Sequence, residues 1–214
     1  VSGTTALASL LAAVAGYVDA FGYRTYGTFL SFMSGNTTIA GFSAAKGKWT
    51  SAIPSIVAIL GFVAGVVAGG WFSGQPRRRI VAAVPSLLLV AAGFAAVDAT
   101  ARLPVIAVVS CAMGLMNSAV TRIGGQAVNV TFVTGTLTRL GRHVASALRR
   151  EPLAGASNPS DTHVSRALEL AAVWGSFLAG AFAGGVATDL GTTWMLAPPI
   201  VVLGGLAWRE RSPS

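Results

Sequence analysis

The chain has 214 residues, 53% of them hydrophobic and only 10% charged, where a soluble domain usually carries about 25% charged residues. Its formal charge of +8 invites a nucleic-acid reading. The basic residues stand in short segments beside long apolar stretches, with no aromatic-studded basic patch, so no nucleic-acid partner is expected. Cys111 is the single cysteine, which rules out a disulfide within the chain and a cysteine-based metal centre.

Crossing the hydrocarbon layer takes about 20 mostly apolar residues at a rise of about 1.5 Å each. Six segments meet that need: roughly 4–22, 51–73, 80–97, 103–121, 167–187 and 192–208. Backbone amides in lipid must bond internally, so all six are predicted as helices. The first contains Asp19 and follows no basic run, so it is read as a retained span rather than a cleaved signal. Next comes S-F-M-S-G-N-T-T-I-A-G at 31–41, strand-like before Ser34-Gly35 and predicted helical from Thr37 to Ala45. The span over 51–73 places Gly61, Gly65 and Gly69 on one face, and Pro85 sits in the span over 80–97. Asn117 lies late in the fourth span. A second motif, T-F-V-T-G-T-L-T-R-L-G at 131–141, follows Asn129, with a short helix expected over Thr136–Ala147. A polar insert at 151–161 leads to the fifth span, where Ser176, Gly180 and Gly184 repeat the small-residue spacing, and the last span holds Pro198-Pro199. Such faces let helix backbones approach closely, against a partner in the same chain or in a second subunit. The fold class expected is all-α: a polytopic membrane helical bundle in a single integral membrane domain spanning 1–214.

An internal repeat organises these elements. The two motifs align with Gly35 on Gly135, Thr38 on Thr138 and Gly41 on Gly141. Further on, A-G-V-V-A-G-G at 64–70 meets A-G-A-F-A-G-G at 179–185, and upstream G-Y-V-D at 16–19 meets G-L-M-N at 114–117. Pro85 then meets Pro199, and four matches in one order predict duplication of a unit over about 4–97 and 103–208. If the motif segments do not cross, eleven arginines fall on one side and four basic residues on the other, the asymmetry the positive-inside rule expects of a cytoplasmic face. Three spans per unit is odd, so the units are expected in opposite orientations, each with a re-entrant or broken segment. Both termini then face the cytoplasm.

Ser34 and Thr134 are N-cap residue types, each followed by a glycine able to turn tightly. Two helix N-termini at the breaks would offer free N–H groups to an anionic or carboxylate group. Candidate substrate-binding residues are therefore Ser34, Gly35, Asn36, Thr37, Asn129, Thr134, Gly135 and Thr136. The structural alternative is that these residues cap and pack helices and bind nothing. Asp19 is an ionisable residue within a span, so it is a candidate coupling group, with Asn117 as its polar counterpart. Its alternative is an interfacial role, paired with Arg24 or capping the following turn. His143 and His163 read as loop residues without partner ligands at metal spacing, and no metal is expected. No catalytic motif is present, so no enzyme and no cofactor are expected.

The runs G-Y-V-D-A-F-G-Y, T-F-L-S-F-M-S-G-N-T-T and V-N-V-T-F-V-T-G-T-L-T-R-L-G resemble the YoaK-like family of small bacterial membrane proteins, over nearly the whole chain. The resemblance implies a multi-pass protein of the bacterial inner membrane and brings no substrate or active site with it. The function expected is a secondary transporter or channel for a small, anionic solute, with the bilayer as partner and a homodimer joined by the small-residue faces. The rival is a non-transporting component that binds a partner or lipid, and an intramembrane enzyme ranks third.

Overall fold

The computed structural model describes residues 3–71, 77–98, 100–119, 133–156, 160–187 and 192–209. Every regular element among them is a helix. In chain order they are α1 (Gly3–Tyr26), α2 (Met33–Ala45), α3 (Trp49–Trp71), α4 (Arg77–Val97), α5 (Arg102–Ala119), α6 (Val133–Leu148), α7 (His163–Val186), α8 (Thr192–Met195) and α9 (Ala197–Arg209). The helices α1, α3 and α7 are long and apolar enough to cross a membrane, and shorter apolar stretches fall at Ala83–Val97, Arg102–Ser118 and Ala197–Trp208. The sixth expected span is thus divided. Proline lacks a backbone N–H and is tolerated in a helix's first turn, and the helix restarts at Ala197, just ahead of Pro198 and Pro199.

The bundle is organised around α1. Ala8, Leu11, Ala12, Ala15, Val18 and Phe21 are buried along it, whereas α3 and α7 turn Leu60, Val63, Val67, Leu178, Phe182 and Val186 outwards. Long apolar side chains on the outside suit a hydrocarbon solvent, because exposed apolar surface of this extent is rare on soluble monomers.

The small residues explain which helices meet. On α3, a Cβ added at Gly61, Gly65 or Gly69 would strike Ala107, Cys111 or Ser118 of α5, and one at Gly114 of α5 would strike Phe62. On α7, a Cβ at Gly180 or Gly184 would strike Ala13 or Tyr17 of α1, and one at Gly16 would strike Phe177. In both pairs contact positions advance together, so α3 runs parallel to α5 and α1 parallel to α7. The two sets also correspond under the repeat. Gly114 against Phe62 mirrors Gly16 against Phe177, Gly65 against Cys111 mirrors Gly180 against Ala13, and Gly69 against Leu115 and Ser118 mirrors Gly184 against Tyr17 and Ala20. Each pair takes one helix from each half of the chain, so the glycine faces are occupied within the chain. Ser176, which stands where the first half has Gly61, is half-buried.

The motif helices pack on these pairs, α2 on α3 and α6 on α7. Both begin earlier than expected. Met33 opens α2 after Phe32, which makes no side-chain capping bond, so Ser34 is not an N-cap but lies inside the first turn. Val133 opens α6 and puts Thr134 in the same place. The histidines are likewise not in loops: His143 is within α6 and His163 is the first residue of α7.

Three neighbouring ends show where α2 leaves the chain. The Arg102 guanidinium at the start of α5 donates to the Tyr26 carbonyl at the end of α1. Thr28, just past α1, meets Ser55 in the second turn of α3 at 2.9 Å. The chain therefore enters α3 at the end of the bundle where it left α1. Close helix approach makes a direct prediction. Gly65→Ala and Gly180→Ala should each lower stability by roughly 1–3 kcal/mol through overpacking. Gly70→Ala and Gly185→Ala, whose added Cβ would meet nothing within 4 Å, should be neutral or slightly stabilising. Thermal unfolding of the four variants in one detergent measures the contrast.

Candidate functional site: the break after α1

Helix α1 closes with Gly27, whose φ of +68° is the left-handed conformation glycine adopts at little cost. Its N–H bonds the Tyr23 carbonyl at 2.9 Å. The tight turn is here, and not at Gly35. Beyond it, residues 28–32 fold back along α1 in irregular conformation. Asp19, buried two turns before the end of α1, receives them. One carboxylate oxygen accepts the Leu30 N–H at 2.9 Å, the Ser31 N–H at 2.6 Å and the Phe32 N–H at 3.3 Å. The other oxygen accepts the Ser31 hydroxyl at 2.7 Å. Backbone donors left unpaired in an apolar interior cost about 1–3 kcal/mol each, and one side chain removes that cost for three. Among the described residues no ion pair reaches Asp19, so its charge rests on these four hydrogen bonds and not on Arg24.

Asn36 fixes the same segment from the other side. Its Oδ1 accepts the Phe29 N–H at 2.9 Å while its Nδ2 donates to the Phe29 carbonyl at 2.6 Å. The side-chain amide thus pairs with a peptide unit as a neighbouring strand would. Thr28 donates its hydroxyl to Asn36 Oδ1 at 2.8 Å. With that proton committed, the Ser55 hydroxyl is the donor in the 2.9 Å contact with Thr28. Thr28, Ser31, Asn36 and Ser55 are all buried. Gly35 serves packing: a Cβ there would collide with the rings of Phe32 and Phe29, which meet edge to face at 5.4 Å, while Phe29 stacks on Tyr23 at 5.0 Å. Ser34 and Thr37 are exposed, and the Thr37 hydroxyl donates to the Met33 carbonyl within its own helix.

The second motif shares the helix, and the segment just ahead of it, 120–132, lies outside the described residues. Thr134 is exposed, Gly135 half-buried and Thr136 buried, the pattern of Ser34, Gly35 and Asn36. Thr138 donates to the Thr134 carbonyl as Thr38 does to that of Ser34. Asn129 lies outside the described residues. Asn117, which stands where the first half has Asp19, keeps its Oδ1 buried without a hydrogen-bond partner among the described residues. Thr136 stands where the first half has Asn36 and carries a single hydroxyl oxygen in place of an amide's separate oxygen and NH2 group. Sequence reasoning reached Asp19 and Asn36 and missed Thr28, Ser31 and Ser55. Ser31 carried a usable signal, because Thr131 preserves a hydroxyl at its repeat position.

The profile of the family described as protein of unknown function (DUF1275) matches residues 7–208. The chain belongs to this family. Similar proteins include the UPF0700 transmembrane protein RA0705 of Rhizobium meliloti (strain 1021), 36% identical over 139 residues, which are 64% of this chain and 60% of the relative. Another is the UPF0700 transmembrane protein YoaK of Bacillus subtilis (strain 168), 30% identical over 152 residues, 66% of this chain and 68% of the relative. No solved structure matches the chain. Membership and the apolar helices together identify an integral membrane protein.

Because Asp19 and Asn36 hold one segment, their losses should not add. Asp19→Ala and Asn36→Ala are each expected to destabilise by about 1–3 kcal/mol. The double variant should fall short of their sum by at least about 0.5 kcal/mol. A double-mutant cycle by denaturant titration in mixed micelles measures that coupling, and strict additivity would mean the two anchors act on separate segments.

Proposed function

We propose that this protein is a secondary transporter or channel for a small anionic solute, and that it works without catalysis. One observation carries the reading. The first break bridges two bodies: its irregular segment is tied to α1 by Asp19, and α2, which follows it, packs on α3. The pairs α1/α7 and α3/α5 are each joined by glycine contacts too close for any side chain. Between the pairs, α1 touches α5 only lightly. Irregular backbone inside a membrane bundle persists where it lines a cavity or is buried in protein, and here it lies on the seam between two tight units.

In this reading the moving bodies are the exchanged pairs and not the two sequence halves. The Thr28–Ser55 hydrogen bond closes the seam in the observed state, and its opening lets one pair rock against the other. The duplicated motifs, the matched contacts and the shared end of α1, α3 and α5 support halves in opposite orientations, the arrangement in which transporters build sites from broken helices. The first break already holds an anion, its own Asp19 carboxylate. At the second break a neutral Asn117 takes the corresponding position, and there Thr134, Gly135 and Thr136 are the residues proposed to meet the solute's charge. The basic excess near α6 supports a cytoplasmic position at the inner membrane for that side and for both termini.

Purified protein reconstituted in vesicles should take up one or more members of a panel of inorganic anions and small monocarboxylates. Asp19→Asn and Asn36→Leu should each reduce uptake at least tenfold while the protein still elutes as a folded species. Single cysteines at positions 47 and 150, in a Cys111→Ala background, should label from opposite sides of the membrane. Absence of flux for the whole panel, with a protein partner retained through purification, would support a membrane scaffold instead.

A further inference from the structure

Helix α6 meets the start of α7 through the chain's two histidines. Their Nδ1 atoms are 2.9 Å apart, and the ring centroids are separated by 5.2 Å. That separation is the nitrogen distance extended by one ring radius at each end, so the two nitrogens point head-on at one another. Two imidazoles converging on a metal ion would aim their lone pairs at a third point. The geometry is that of one nitrogen donating to the other. No group of three or more metal-ligating side chains occurs among the described residues, which agrees with that reading.

The partner of His143 is fixed in place. Thr162 caps α7 by accepting the Ser165 N–H at 3.1 Å, and the Ser165 hydroxyl oxygen accepts the Thr162 N–H at 2.9 Å. Asp161 and Arg166 form a fork, with contacts of 2.7 and 2.8 Å, across the same first turn. His163 is the first residue of the helix this framework defines. Among the described elements α7 is the one that packs extensively on α6, and the histidine pair is a polar link between the two helices.

We propose that His143 and His163 form a proton-binding site that latches α6 to α7, holding with up to one added proton and releasing when a second is bound. In the neutral pair, the Nδ1–H of one ring donates to the Nδ1 lone pair of the other. A first added proton goes to the outer Nε2 of the donor ring. It leaves the shared hydrogen bond in place and makes it charge-assisted. A second can go only to the accepting Nδ1. Two N–H groups then face each other on two cations, and the link is lost. The charged groups around the pair are Asp161, Arg166 and Glu169 from the α7 side, and Arg139 and Arg142 on α6. Burial first, then His163 and Arg166, lower the titration of His143 from the ordinary 6.5, with Asp161 acting in the opposite sense. A histidine so depressed keeps its contact whole above about pH 6.5 and loses it as pH falls towards its value in the folded state.

The chain has two histidines in all, so protein labelled with 15N-histidine gives ring signals from this pair alone. In detergent micelles the wild type should titrate in two macroscopic steps at least one pH unit apart, the lower well below 6.5. In His143→Gln the remaining ring should titrate in a single step. Amide exchange over residues 136–147, corrected for intrinsic rates, should accelerate by roughly tenfold between pH 7.5 and 5.0 in the wild type, the loss of one interhelical hydrogen bond. Exchange in His143→Gln should be fast at both pH values. Rings that titrate together near 6.5, or an exchange response as large in His143→Gln as in the wild type, would overturn the proposal.

Discussion

The buried Asp19 carboxylate governs the architecture of the first half. A chain that leaves a helix and turns back through an apolar interior exposes peptide N–H groups where no water can answer them. Asp19 takes those of Leu30, Ser31 and Phe32. With that anchor set, Asn36 pairs with the Phe29 peptide unit, Thr28 reaches Ser55, and α2 is delivered onto α3. A charge alone in a span would be costly. Shared among three backbone donors and a hydroxyl, it becomes the means by which irregular backbone survives at that depth.

The second constraint is close approach. In lipid there is little hydrophobic drive for helices to associate, so contact area and backbone proximity decide which helices pair. Glycines at four-residue spacing on α3 and α7 give α5 and α1 such a surface. The outcome is an exchange, in which each half lends its first long helix to the other half. Neither half has its own first helix as a principal neighbour of its glycine-rich helix, so the halves hold together as one unit. The Asp19 network then lies where the two exchanged pairs adjoin, the position at which a small relative motion would alter it most.

Much of this architecture was legible in the sequence, because lipid makes simple demands on a chain. Apolar length placed the long helices, and the first S-G motif marked the irregular segment beside α2. The spacing of Gly61, Gly65 and Gly69 announced close packing but could not name the partner, since α5 is distant in sequence and a second subunit satisfies the same pattern. A Ser-Gly pair suits a turn, which points to Gly35 as the bend. The chain turns at Gly27 instead, and Gly35 is small to make room for the rings of Phe29 and Phe32. His143 falls inside the helix expected over Thr136–Ala147, whereas His163 lies ahead of the apolar stretch that begins near 167, so apolar content alone does not put it in a helix. The capping box at Thr162, which puts His163 at a helix start, contains no acidic third residue to advertise it. Thr28 and Ser55 escaped because a hydroxyl in an apolar run carries no signal until its partner is in place.

The two halves share contacts but not chemistry, and the difference has a direction. Asp19 has become Asn117 and Asn36 has become Thr136, so the second half lacks both the charge and the two-sided amide that fix the first break. A duplicated pair of equal anchors would hold both breaks with equal firmness. The first break is tied by a full carboxylate network, and the second motif helix meets α7 through a hydrogen bond between two titratable rings. The buried carboxylate of Asp19 therefore has no ionisable counterpart at the matching position of the second half, where Asn117 stands.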